Sequence, residues 1–115
     1  MEEKIERSVE VEDNYQIKKI VGYGSTCTVY KAHYFKHGNP KILSPKELEN
    51  EKQVVAIKKV KDIFQSDAHA HRVLREIRLL RILKGHPNIV KLLTIMRPKD
   101  SKKFSSLNIV TEYCT

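Results

Sequence analysis

Gln53–Val60 reads QVVAIKKV, apolar through its centre and charged toward its end. β-Branched residues at this density predict a strand with a buried centre. Side chains alternate between the two faces of a strand, so Ala56 and Lys58 share one face and Val55 and Ile57 the other. A lysine near a strand end ordinarily sits in water, and Lys59 and Lys61 are assigned that role. Lys58 differs because it projects from the face where alanine leaves room for a planar base, and its point charge suits phosphate oxygens.

Toward the N-terminus lies Ile20–Ala32, IVGYGSTCTVYKA. Strand-forming residues over Tyr15–Val21 and Cys27–Phe35 flank a tip containing Gly22 and Gly24, which predicts a β-hairpin. Two readings of the glycines stand side by side. One is ordinary turn chemistry, in which they supply positive φ. Alternatively, the spacing G-x-G-x-x-x-x-V, with Ser25, Thr26 and Val29 following, brings backbone N–H groups close to a triphosphate and lays Val29 over a flat apolar ring.

Toward the C-terminus, Ser66–Leu83 has helical periodicity in Val73, Leu74, Ile77, Leu80 and Leu83. Ser66 or Asp67 caps its start, and Gly85 followed by Pro87 stops it. Arginines occupy positions 72, 75, 78 and 81, and Glu76 stands among them in line with Val73 and Leu80. A carboxylate beside the apolar stripe needs a cation. Arg72 at i−4 offers a weak local pair, whereas Lys58 explains better why a single acid lies among four arginines. The rest of the chain supplies a loop over Phe35–Lys52 with a helical turn at Pro45–Glu51, a strand at Ile89–Ile95, a basic connector at Arg97–Ser105 and a strand at Leu107–Tyr113. The predicted order is β-β-loop-β-α-β-β.

With 115 residues and 40% hydrophobic content, the chain suits one modest core. Its net charge of +8 is uneven: residues 1–13 hold six acids and two bases, leaving +12 on residues 14–115. Such a body wants anionic partners, without choosing among nucleotide phosphates, phosphorylated segments, acidic peptides and nucleic acid. Two cysteines make no disulfide framework, and no Cys/His cluster has metal-ligand spacing. No apolar stretch is long enough to span a bilayer, and no signal peptide opens the chain, so a reducing cytoplasmic or nuclear compartment is expected.

GYGSTCTV, VAIK, the Glu of LREI and HPNIV occur in the order and approximate spacing of the N-terminal lobe of eukaryotic protein kinases. AHRVLREIRLLRIL, HPNIVKLLTIMRP and LNIVTEY are most similar to mitogen-activated protein kinases. The resemblance covers residues 14–115, after an acidic extension at 1–13. It implies an α+β fold, a five-stranded antiparallel sheet with one regulatory helix. It further implies a serine/threonine kinase that transfers the ATP γ-phosphate to hydroxyls of protein substrates and answers to an upstream kinase.

The resemblance also assigns residues. Lys58 and Glu76 orient the phosphates; Val21, Val29 and Ala56 form apolar walls; Gly22, Tyr23, Gly24, Ser25, Thr26 and Cys27 form the phosphate loop, with Cys27 in the place of a third glycine. Thr111 is the implied gatekeeper, and Glu112, Tyr113 and Cys114 the hinge, where the Glu112 carbonyl and the Cys114 N–H hold adenine. Arg75 matches a helix arginine that contacts a phosphorylated activation loop, although a solvated arginine fits the sequence as well. The Phe35–Lys52 loop is longer than the family's usual connection. The catalytic base and the magnesium ligands of a kinase belong to its C-terminal lobe, so ATP and Mg2+ are expected cofactors of a whole kinase, and this chain alone is not expected to be active. The alternatives are a non-catalytic protein-binding module derived from a kinase lobe and, ranked lower for want of a reading motif, a basic nucleic-acid binder.

Overall fold

The computed structural model describes residues 12–25, 27–87, 90–96 and 106–113. Five antiparallel strands, β1 (Tyr15–Tyr23), β2 (Cys27–Phe35), β3 (Lys52–Val60), β4 (Leu92–Met96) and β5 (Leu107–Glu112), form one sheet in the order β1-β2-β3-β5-β4. Between β2 and β3 lie a 3-10 turn at Pro40–Ile42 and a short helix, α1 (Pro45–Glu51); between β3 and β4 lies the main helix, α2 (Asp67–Ile82). The expected five-stranded antiparallel sheet with its single long helix is what forms.

β3 is the middle strand, and its alternation feeds two cores. Val55 and Ile57 pack with Ile17, Tyr30, Ala32, Met96 and Val110 on one side of the sheet. Val60 packs with Ile63, Val73, Leu107 and Ile109 on the other, where Ala70, Ile77 and Leu80 bring in α2. The helix thus rides on one face of the sheet through the apolar stripe read from its sequence.

Several boundaries differ from expectation. β1 runs on through Gly22 and Tyr23, which pair with Val29 and Thr28 after a register shift between Ile20 and Gly22. Cross-strand pairing overrides the low strand propensity of glycine there. Ser66 is the cap of α2, its Oγ accepting the His69 N–H at 3.1 Å. The chain turns away after Leu83 at Gly85, whose φ of 91° suits a residue without Cβ. Leu74 does not join the stripe and is 47% exposed, because it lies about 100° around the helix from Val73. β4 starts at Leu92 rather than Ile89, and Ile89 lies outside the described residues. The helical turn over Pro45–Glu51 forms under a capping box between Ser44 and Glu47. His37 Nδ1, 3.0 Å from Glu51 Oε1, ties the end of α1 back to the connection.

Ile57, fully buried at the centre of the first core, should lose about 2–5 kcal/mol of stability on Ile57→Ala. Tyr23→Ala, at a side chain 80% exposed, should change it by less than about 0.5 kcal/mol in the same urea titration. Tyr15 stacks against Tyr34 at 4.9 Å, and burial, with help from Tyr34 and Glu12, pushes its hydroxyl up to about 12. The folded state therefore favours neutral Tyr15, and this contribution is complete below pH 10 and is lost as pH rises toward 12. Melting midpoints should fall across that interval, and fall less in Tyr15→Phe.

Candidate functional site

Residues paired directly across antiparallel strands lie on the same face, so strand register lays out the site. Gly22 pairs with Val29, Val29 with Lys58, and Lys58 with Ile109. In the adjacent row on that face, Lys31 pairs with Ala56 and Ala56 with Thr111. One face of the sheet therefore gathers Gly22, Val29, Ala56, Lys58 and Thr111 from four strands. Lys59 takes the opposite face and is half-buried there rather than solvated.

α2 packs on this face and delivers Glu76 to Lys58, with Nζ 2.8 Å from Oε1. The long-range partner, not Arg72, is the one the carboxylate takes. The two side chains keep 32% and 39% of their exposure, and pairs this open to solvent stabilise a fold by about 0–1 kcal/mol. The pair does more for orientation than for stability, because it fixes the lysine's long stem over the sheet. Cys27, Val60, His69, Arg72 and Val73 surround the pair and complete a pocket of about 160 Å³. Arg72 lines this pocket and Arg75 does not, although both are exposed on α2. A larger groove of about 410 Å³, between the start of β1 and Pro40–Leu48, contains none of the residues singled out in the sequence.

The glycines now separate. Positive φ occurs at Gly38 and Gly85, not at Gly22 or Gly24, so turn chemistry does not explain the pair in the hairpin. Gly24 has an internal reason: a Cβ there would stand 3.0 Å from Cys27 Sγ, and its N–H donates to the Cys27 carbonyl at 2.7 Å. Gly22 has none, since a Cβ would meet nothing within 4 Å. What glycine preserves at 22 is open space above the strand, in the row that leads to Lys58. That suits an approaching phosphate group.

At the far end of β5, Glu112 N–H donates to the Lys91 carbonyl at 3.0 Å, and Lys91 N–H donates to Glu112 Oε1 at 3.0 Å. Lys31 Nζ lies 5.2 Å from the centre of the Tyr113 ring, a cation–π contact. Val21 and Ser25 are exposed at the hairpin; Thr26 and Cys114 lie outside the described residues. The burial of His69 escaped the sequence reading, in which its spacing from His71 bore only on metal binding. His69 is 8% exposed, and its Nε2 lies 3.1 Å from the Lys61 carbonyl. A carbonyl only accepts, so Nε2 carries the proton. Its place at i−4 from Val73, one turn up the apolar stripe, was the available clue. Among the described residues there is no group of three His, Cys, Asp or Glu that could hold a metal ion, and no helix is long and apolar enough to cross a membrane.

Comparison with known proteins adds an independent line. The family model described as protein tyrosine and serine/threonine kinase matches residues 15–115. Mitogen-activated protein kinase 16 of Arabidopsis thaliana is 37% identical over 101 residues, covering 85% of this chain and 15% of that protein. Mitogen-activated protein kinase 12 of Oryza sativa subsp. japonica is 37% identical over 98 residues, with 85% and 14% covered. The chain thus spans about one seventh of the length of these relatives. An N-lobe sheet, a lysine–glutamate pair joining sheet to helix, and a family match from the first strand onward agree: the chain belongs to the protein tyrosine and serine/threonine kinase family.

Proposed function

We propose that this chain is the nucleotide-binding lobe of a serine/threonine kinase of the mitogen-activated type, which holds ATP for transfer of its γ-phosphate to protein hydroxyls. The observation that carries the reading is the 2.8 Å Lys58–Glu76 pair, on the face where Gly22 keeps its row open. Lys58 binds the α- and β-phosphates by charge-assisted hydrogen bonds. Glu76 holds the lysine there. Gly22 and its neighbours bring the hairpin backbone over the phosphates, while Val29 and Ala56 enclose the base and Thr111 closes the back of its pocket. Bound Mg-ATP supplies the phosphoryl group. The described residues bind and orient; a base and magnesium ligands would come from a second lobe of the whole kinase, as would contacts with protein substrates and an upstream kinase.

Titration with Mg-ATP tests this directly. Lys58→Met should weaken binding about tenfold or more, the scale of one charge-assisted hydrogen bond. Lys59→Met, one residue along on the opposite face, should change it by less than about threefold. Equal losses would mean that phosphate does not approach the Lys58 face. Gly22→Ala should leave the melting temperature within a few degrees of the parent, because its Cβ meets no neighbour, yet weaken nucleotide binding.

A further inference from the structure

Past Ala56, away from Lys58, the same face of the sheet carries a cluster of cations. Lys31 and His33 follow Val29 at alternate positions of β2, and Lys52 shares their face on β3. Beside them the β1–β2 register shifts between Ile17 and Lys19, so Lys18 is an extra residue in β1 and Lys19 pairs directly with Lys31. Like charges directly opposite each other destabilise a sheet. Among the described residues none of Lys18, Lys19 and Lys31 has a carboxylate partner, and Lys52 reaches Glu49 at 3.9 Å. The crowding is felt at His33, whose imidazole is held below its ordinary value by partial burial and then by Lys18, Lys52 and Lys31, with Glu49 opposing. Protection of a sheet edge accounts for lysines on β1, the outermost strand. It does not account for Lys31, His33 and Lys52, which stand on interior strands.

We infer that this cluster is a docking surface for an acidic segment of a partner protein, bound in extended conformation with carboxylates two residues apart. Lys31 and His33 are themselves two residues apart, about 7 Å at the rise of a strand, and so are the side chains on one face of an extended peptide. One carboxylate meets Lys31, with Lys19 opposite. The next meets a ring N–H of His33, which imidazole offers whether neutral or charged, with Lys18 and Lys52 alongside. Lys31 is already held in place, its ammonium 5.2 Å from the centre of the Tyr113 ring, and a side chain so held loses less freedom on binding. A patch this short offers too few cations for the many phosphate contacts on which nucleic-acid affinity rests. His33 lies about 13 Å along β2 from Val29, the partner of Lys58, so the surface stands apart from the phosphate end of the face and does not depend on the nucleotide reading.

Fluorescence anisotropy on the 115-residue chain, at low ionic strength and without nucleotide, tests this with labelled peptides. One carries glutamates at alternate positions among threonines, a second holds the same residues with the glutamates consecutive, and a third has glutamine for each glutamate. The alternating peptide should bind about threefold or more tightly than the consecutive one at equal charge, and the glutamine peptide should bind weakest. Lys31→Gln should weaken the alternating peptide about two- to fivefold, the scale of one exposed ion pair, and Lys18→Gln with Lys31→Gln about five- to twentyfold. Lys84→Gln, which removes the same charge from an exposed lysine beyond α2, should change it by less than about 1.5-fold. Failure of the alternating peptide to bind, equal affinity for the alternating and consecutive peptides, or equal losses in Lys31→Gln and Lys84→Gln would overturn the inference. So would tighter binding of a single-stranded oligothymidylate that is lost in the same variants, which would make the cluster a nucleic-acid contact.

Discussion

β3 has to satisfy two cores at once. Val55 and Ile57 belong to one side of the sheet and Val60 to the other, so the strand tolerates no slip: a shift of one residue would exchange its faces and bury Lys58 among Ile17, Tyr30 and Val110. The desolvation of an unpaired ammonium in such surroundings makes that register inaccessible. The position of the site lysine is therefore a by-product of hydrophobic packing on both sides. Everything else in the site is located relative to it, because β2 and β5 pair with β3 and bring Val29, Lys31, Ile109 and Thr111 onto the lysine's face.

The two glycines of the hairpin show how similar residues answer different demands. Gly24 answers to its own fold, where a Cβ would stand 3.0 Å from Cys27 Sγ. Gly22 sits in a paired strand that would hold most residues, and its lack of a side chain weakens that strand. A position that costs the fold something and relieves no internal contact points outward, to whatever comes down on the strand. In the same row stands Lys58, held by the Glu76 carboxylate of α2.

Much of this was legible in the sequence because its causes are local or periodic. Alternation in VVAI fixed the faces of β3, the stripe of Val73, Ile77 and Leu80 fixed the buried side of α2, and a lone glutamate among arginines pointed to Lys58. What escaped has non-local causes or is masked by residue type. The extension of β1 through Gly22 and Tyr23 comes from pairing with β2, which outweighs glycine's own preference. His69 is buried because Lys61 offers a carbonyl to its ring, an arrangement polar composition does not advertise. Leu74 looked like core because a leucine count cannot resolve 100° of helix rotation. The Glu112–Lys91 tie joins residues 21 apart through a side chain and a backbone N–H, so no spacing rule in either segment anticipates it.

The attachment of α2 decides how the Lys58–Glu76 pair behaves. The helix is held by Val73, Ile77 and Leu80 against Val60, Leu107 and Ile109, and by His69 against Lys61. Burial of three such side chains contributes several kcal/mol, at about 1.5–3 kcal/mol each when complete, against about 0–1 kcal/mol for an ion pair this exposed. Packing therefore places the helix, and the pair follows. The converse also holds: a shift of α2 by one turn would strand Glu76 from Lys58 at little electrostatic cost, provided the apolar stripe found a new seat. An exposed pair spanning two separately packed elements thus reports their relative position while contributing little to it. On the nucleotide-binding reading proposed above, that property would suit a lysine that meets phosphate only when sheet and helix are correctly set.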